Sequence, residues 1–120
     1  MKVLLAEDEP DVQMIARLSL KRAGFTVVTA NNGLEALERV AEVQPDVILL
    51  DWMMPEMDGF ETCRRLKADP ATRAIPVIFL TAKVQETEVS KALALGAAGC
   101  IGKPFDAMTL GQQVRAMVET

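Results

Sequence analysis

The chain of 120 residues contains no histidine. That absence removes His-ligated zinc sites and every catalytic triad built on an imidazole base. Cysteine is scarce too. Cys63 and Cys100 stand far apart and match no metal or redox spacing, so free thiols and a cytoplasmic location are expected. Positive charge is in deficit, with 13 Lys and Arg against 17 Asp and Glu, a net charge of −4. A direct nucleic-acid surface would need the opposite balance, clustered on one face. No apolar run approaches the roughly 20 residues of a membrane span. Met1-Lys2 leads straight into a strand pattern, so neither a signal peptide nor membrane insertion is expected. Repeats, low-complexity tracts and linkers are missing as well, and a single domain over residues 1–120 without an effector domain is the expectation.

What is present is a set of short apolar runs separated by helical patterns. The most informative is Val47-Ile48-Leu49-Leu50, which ends in Asp51 and is followed by a loop marked by Pro55 and Gly59. Four consecutive apolar residues describe a strand covered on both faces. Similar runs occur at Val3–Ala6, Phe25–Ala30, Val77–Leu80 and Ala98–Ile101. Between them lie five helical patterns. The first begins at Pro10 and stops at Gly24, with Val12, Ile15, Ala16 and Leu20 inward. Asn32 opens the second, with Glu35 completing a capping box and Leu34, Leu37, Val40 and Ala41 inward. The third is capped by Asp58 and turns Phe60, Cys63 and Leu66 inward. The fourth runs from about Glu86 to Gly96 on Val89, Ala92 and Leu93. The last is capped by Asp106, with Phe105 stapled to Leu110 and a stripe of Leu110, Val114, Met117 and Val118. Strict alternation with short connections implies an α/β fold: a doubly wound (βα)5 arrangement, flavodoxin-like, with a five-stranded parallel sheet in the order 2-1-3-4-5.

That topology collects the C-terminal strand ends at one edge of the molecule. Strand one delivers Glu7 and Asp8, strand three Asp51, strand four Thr81 and strand five Lys103. Two bare carboxylates ~4 Å apart repel by about 4 kcal/mol at an effective dielectric near 20. Either a proton or a cation must sit among them. Oxygen-only ligands in an incomplete cage favour Mg²⁺, held by Asp8 and Asp51. The free oxygen of Asp51 is then a nucleophile for a phosphoryl group and forms an acyl phosphate. The spread charge of that group needs partners, and Mg²⁺, the Lys103 ammonium and the Thr81 hydroxyl with the following N–H supply them.

This constellation resembles the receiver domain of two-component response regulators, the chemotaxis-type fold, over essentially the whole chain. The resemblance lies in Glu7-Asp8, in Asp51-x-x-x-Pro55-x-x-x-Gly59, in Thr81-Ala82 and in Lys103-Pro104. It implies that Asp51 accepts a phosphoryl group from the phosphohistidine of a sensor histidine kinase or a phosphotransfer protein. Mg²⁺ is required, with Mn²⁺ able to substitute. The resemblance further implies that Met53 offers its backbone carbonyl to the metal, that Glu7 acts through a metal-bound water, and that Lys103-Pro104 is a cis peptide. The response is expected on the face of helix four, strand five and helix five, toward an unspecified output partner, in a monomer or a phosphorylation-dependent dimer. Such a protein is a phosphoacceptor that assists its own phosphorylation and dephosphorylation, not a turnover enzyme. Met53 and Lys83 occupy the variable rim positions that tune acyl-phosphate lifetime.

Each of these residues also has an ordinary structural reading. Glu7 and Asp8 would suit any helix N-terminus, Asp51 a turn, Thr81 a strand end and Lys103 a solvated surface. Asp58 reads as a helix cap, and Met53, Met54 and Met57 as packing or adaptable surface, since thioethers do not suit a hard-oxygen site. An electron carrier of the same topology would need a phosphate-binding loop where Glu7-Asp8-Glu9 stands. An aspartyl-nucleophile phosphohydrolase would need an acid at Met53. The alternative, a pseudo-receiver that binds partners without phosphorylation, would be expected to have lost the acidic pair or Lys103, and both are present. A stand-alone receiver and one excised from a longer regulator or hybrid kinase fit the chain equally. Cys100 departs from the resemblance. The family places an aromatic or His there, coupled to Thr81 as a switch, and a cysteine is too small to sweep the same volume. A weaker or differently built switch is therefore expected.

Overall fold

Each of the apolar runs forms a strand. The computed structural model describes residues 1–82 and 86–119. Its elements are β1 (Lys2–Ala6), α1 (Pro10–Arg22), β2 (Thr26–Ala30), α2 (Gly33–Val43), β3 (Val47–Asp51), α3 (Gly59–Ala68), β4 (Val77–Thr81), α4 (Glu86–Ala94), β5 (Gly99–Gly102) and α5 (Leu110–Glu119). All strand pairs are parallel and the sheet order is β2-β1-β3-β4-β5, as the alternation predicts.

β3 and β4 are buried at every position because helices cover both faces. Alternate side chains divide between two cores. Leu4, Ile48, Leu50 and Phe79 pack with Ala36, Val40, Cys63, Leu66 and Ala92, from α2, α3 and α4. Val3, Leu5, Leu49, Ile78 and Leu80 pack with Ala16, Leu20, Leu110 and Val114, from α1 and α5. Each fully buried aliphatic side chain contributes roughly 1.5–3 kcal/mol, so this two-faced burial is the main stabilising term.

Helix ends follow the expected chemistry. Pro10 opens α1, Asn32 Oδ1 accepts from Glu35 N–H at 2.8 Å, and Asp58 Oδ1 accepts from Glu61 N–H at 2.8 Å. Gly24 and Gly96 turn the chain with φ of +98° and +93°.

The helical stripes are less faithful to the sequence pattern. On α1 the buried residues are Ala16, Ser19 and Leu20, while Ile15 is 46% exposed. On α2 they are Gly33, Ala36 and Val40, with Leu34 and Ala41 outside. On α4 only Ala92 is buried among the expected three, Val89 is half-buried and Leu93 is exposed. Large side chains still enter the cores from helices, as Leu20, Leu66 and Leu110 do, but the small residues mark close approaches to neighbouring elements: Ser19 Oγ accepts the Gly111 N–H of α5, and Gly33 lies against Thr62 and Met57. The start of α5 also differs. Asp106 Oδ1 accepts from Met108 N–H, and the Asp106 carbonyl accepts from Leu110 N–H, so Asp106 organises a preceding turn and the regular helix begins at Leu110. Phe105 and Leu110 do share one core. Lys103-Pro104 is cis.

Gly59 begins α3 against the end of β3. A Cβ there would run into the Asp51 carbonyl oxygen and lie 3.1 Å from the Phe79 ring. Gly59→Ala is expected to lower the unfolding free energy by about 1–3 kcal/mol, the usual cost of overpacking, read as a reduced urea midpoint at constant slope. An unchanged midpoint would show that the close approach is dispensable.

Candidate acidic phosphoacceptor pocket

Register brings the strand ends together. Ala6 lies opposite Leu50, so Glu7 follows on beside Asp51. The Glu7 N–H donates to the Ala30 carbonyl at 3.0 Å, which keeps the chain extended for one residue past β1. Asp51 lies opposite Leu80 and Thr81 opposite Gly102. The Lys103 N–H then donates to the Thr81 carbonyl at 2.7 Å, fixing the chain where the lysine side chain departs.

The Lys103 ammonium sits between two carboxylates, 2.8 Å from Glu7 Oε2 and 3.0 Å from Asp51 Oδ1. Glu7 is completely buried, and its Oε1 accepts the Glu9 N–H at 3.2 Å. Asp51 and Thr81 are buried, whereas Asp8 is exposed. One oxygen each from Glu7, Asp8 and Asp51 lie within 4.8 Å of one another.

Burial decides the electrostatics. Loss of water pushes the Glu7 carboxyl up to about 7, against the opposing pull of the Lys103 hydrogen bond, and the neighbouring Asp51 charge adds to the rise. Asp51 is raised by the same desolvation, with Lys103 opposing it. Burial alone would lower the Lys103 ammonium, but its bonds to Glu7 and Asp51 outweigh that, so it stays protonated. One lysine is thus set against three carboxyls, and the pocket lacks positive charge.

Above Asp51 the pocket opens to solvent as a cavity of about 430 Å³, walled by Glu9, Trp52, Met53, Thr81, Ala82, Glu88 and Lys103. Met53 projects its side chain outward, 76% exposed, while Met54 and Met57 are buried, so the methionine cluster is divided between rim and core. Lys83 lies outside the described residues. Cys100 is half-buried on β5 opposite Phe79, packs against the α2–α3–α4 core and does not wall the pocket. Burial raises its thiol.

Two features escaped the sequence. Glu7 meets Lys103 directly, a contact legible only as two acids and one lysine at adjacent strand ends. Trp52 and Glu88 are also pocket walls. Trp52 is signalled by its place after Asp51, but nothing in the sequence shows which turn of α4 faces the opening.

A doubly wound parallel sheet with a buried acid at its switch point, an acidic pair beside it and a lysine across it defines a class of phosphoacceptor signalling modules. The chain belongs to the response regulator receiver domain family of two-component systems, whose family model matches residues 3–115. It is 41% identical over 117 residues to the phosphate regulon transcriptional regulatory protein PhoB of Rhizobium meliloti (strain 1021), covering 98% of this chain and 52% of that protein. It is 35% identical over 117 residues to the alkaline phosphatase synthesis transcriptional regulatory protein PhoP of Bacillus subtilis (strain 168), covering 98% and 48%. The chain therefore spans about half the length of the curated relatives it matches. Among solved structures, chemotaxis protein CheY4 of Vibrio cholerae superimposes with a TM-score of 0.90 at 31% identity, covering 97% of each chain. Among the described residues no helix is long and apolar enough to cross a membrane.

The Glu7 shift has a sign that can be tested. The folded carboxyl holds its proton up to about 7, against an ordinary 4.5. Between those values the folded state binds more protons than the unfolded one, so stability falls as pH rises through the window. Chelator-treated protein is expected to show a urea midpoint that declines across it, and Glu7→Gln to flatten the decline. A midpoint that rises with pH there would contradict the burial-driven shift.

Proposed function

We propose that Asp51 accepts a phosphoryl group from the phosphohistidine of a sensor histidine kinase or phosphotransfer protein, with Mg²⁺ bound beside it, and that the protein is a switch rather than a turnover enzyme. The observation that carries this reading is the Asp51 carboxylate itself: buried on its flanks, open to solvent above, and 3.0 Å from a lysine ammonium on another strand. The pseudo-receiver alternative would leave the retention of the acidic pair, Asp51 and Lys103 unexplained.

The donor set fits a hard divalent cation. Three carboxylate oxygens lie within 4.8 Å with too little positive charge among them, and desolvation raises both the Glu7 and the Asp51 carboxyl for want of it. Asp8 and Asp51 would hold Mg²⁺, or Mn²⁺ in its place, with the Met53 carbonyl, and Glu7 would act through a bound water. When bound, the ion would neutralise oxygens of the transferring phosphoryl group.

The chain's own residues do the rest. Asp51 supplies the attacking oxygen. Lys103 carries the positive charge that a phosphoryl oxygen needs, and exchanges its bond to Asp51 for one to that oxygen. Thr81, at the pocket wall, donates its hydroxyl to another, joined by the Ala82 N–H. Thr81 and Cys100 form the switch toward the face of α4, β5 and α5, where an output partner docks or a phosphorylation-dependent dimer forms. The thiol of Cys100 moves little volume, so the response there is small. A protein donor is supported by an apolar groove of about 370 Å³ that continues from Lys103 over Val12, Ile15, Pro104 and Phe105.

Incubation with phosphoramidate and Mg²⁺ is expected to add one phosphoryl group per chain, seen by intact mass, and Asp51→Asn to abolish it. Labelling that persists unchanged in the mutant would sink the assignment. Lys103→Ala should still be labelled, but with a weaker change in fluorescence of Trp52, the one tryptophan in the chain. An undiminished signal would remove Lys103 from the response.

A further inference from the structure

Trp52 is the side chain through which the pocket reaches a second surface. Its ring lies edge-on to Phe60, with centroids 4.0 Å apart, and 5.1 Å from Phe79. Its backbone is tied on both sides. The Trp52 N–H donates to the Leu80 carbonyl at 2.9 Å, and its carbonyl accepts the Gly59 N–H at 3.1 Å. Displacement at Asp51 would therefore carry Trp52 and the first turn of α3 with it, since close-packed aromatic contacts leave no slack. On β5 the half-buried Cys100 offers no comparable bulk.

Phe60 floors a groove of about 360 Å³ between α3 and α4, shared with Glu61, Arg64, Lys91, Ala94 and Leu95. Its floor is apolar and its rim carries surplus positive charge on a chain whose net charge is −4. The Glu61 carboxylate is shared between two guanidiniums, accepting from Arg64 Nε and Arg65 Nε at 2.8 Å each. The Arg64 side chain nevertheless remains 60% exposed. Arg64 also gives Nη2 to Glu61, so its charge is answered within the chain, whereas Lys91 makes no ion pair among the described residues and leaves one surplus positive charge over the apolar floor.

We propose that this groove docks an acidic, amphipathic segment of a partner protein, and that the state of Asp51 sets its affinity through Trp52 and Phe60. An apolar side chain of the segment seats on Phe60 and Leu95, and its carboxylates meet Arg64 and Lys91. Charge complementarity selects this occupant, because a basic or uncharged segment would leave the surplus positive charge of Lys91 unanswered and give the exposed Arg64 head no second partner. The docking half stands on the groove alone. The coupling half rests on the phosphoacceptor reading above.

The test is a selection of random peptides displayed on phage against the whole chain, before and after phosphoramidate and Mg²⁺, with loading counted by intact mass. Enriched peptides are expected to carry Asp or Glu around an apolar residue. Arg64→Glu and, separately, Lys91→Glu should each weaken their binding about tenfold, the scale of a lost charge pair. Lys91→Glu leaves the Glu61 pairs in place, so it guards against a folding artefact of the first variant. Loading should change the affinity, and Trp52→Leu, compared at equal loading, should bring the loaded-to-unloaded ratio toward one. Enrichment of basic or uncharged peptides, no enrichment, or binding that survives both charge reversals would overturn the docking surface. Equal affinity with loading confirmed would overturn the coupling. Failure to load would strike the phosphoacceptor reading and leave the docking result, read on unloaded protein, to stand by itself.

Discussion

One ammonium in contact with two buried carboxylates is the constraint on which the site depends. Lys103 comes from the last strand, Glu7 from the first and Asp51 from the third, so the contact closes only when β1, β3, β4 and β5 hold their mutual register. Desolvating those carboxyls is unfavourable, as the upward shift of Glu7 to about 7 shows. The cost is met by the two apolar cores beneath, in which β3 and β4 are buried at every position. Stability is stored in the sheet, and a small part of it is given up at the sheet's edge, where buried acids are held short of counter-charge.

That shortage is what would make the pocket responsive under the proposed function. A fully compensated cluster would have no electrostatic reason to take up a cation or an anionic group bound to one. Here a cation would relieve repulsion, and on the proposed function Lys103 would turn from a carboxylate to a phosphoryl oxygen. The walls offer such changes a mechanical route. Trp52 shares the pocket with Asp51 and the core with Phe79, while the close approach of Gly59 to the Asp51 carbonyl binds α3 to the same point.

The order of elements and the strand ends were legible from the sequence because short unbroken apolar runs, bounded by Pro, Gly and Asp, have few other solutions. Asp58 and Asn32 were legible as caps because a cap is a local hydrogen bond. The orientation of the helices was not. Ile15, Leu34 and Leu93 fit an inward stripe by spacing yet lie exposed, and Ser19, Gly33 and Ala36 take the contact positions. Hydrophobicity ranks side chains by transfer from water, whereas which helical positions face inward also depends on how closely neighbouring helices approach, as Ser19 against Gly111 and Gly33 against Thr62 show.

By itself, then, the sequence determined the chemistry at hand: three acids, a hydroxyl and a lysine, each following an apolar run, with no histidine to offer another mechanism. Those are properties of composition and local pattern. Only the tertiary structure decided that Glu7 rather than Asp8 meets Lys103, that Trp52 leans on Phe60, and that Cys100 faces a core and not the pocket. Such contacts join residues tens of positions apart, and their existence depends on strand register and helix rotation, which no local stretch of chain encodes.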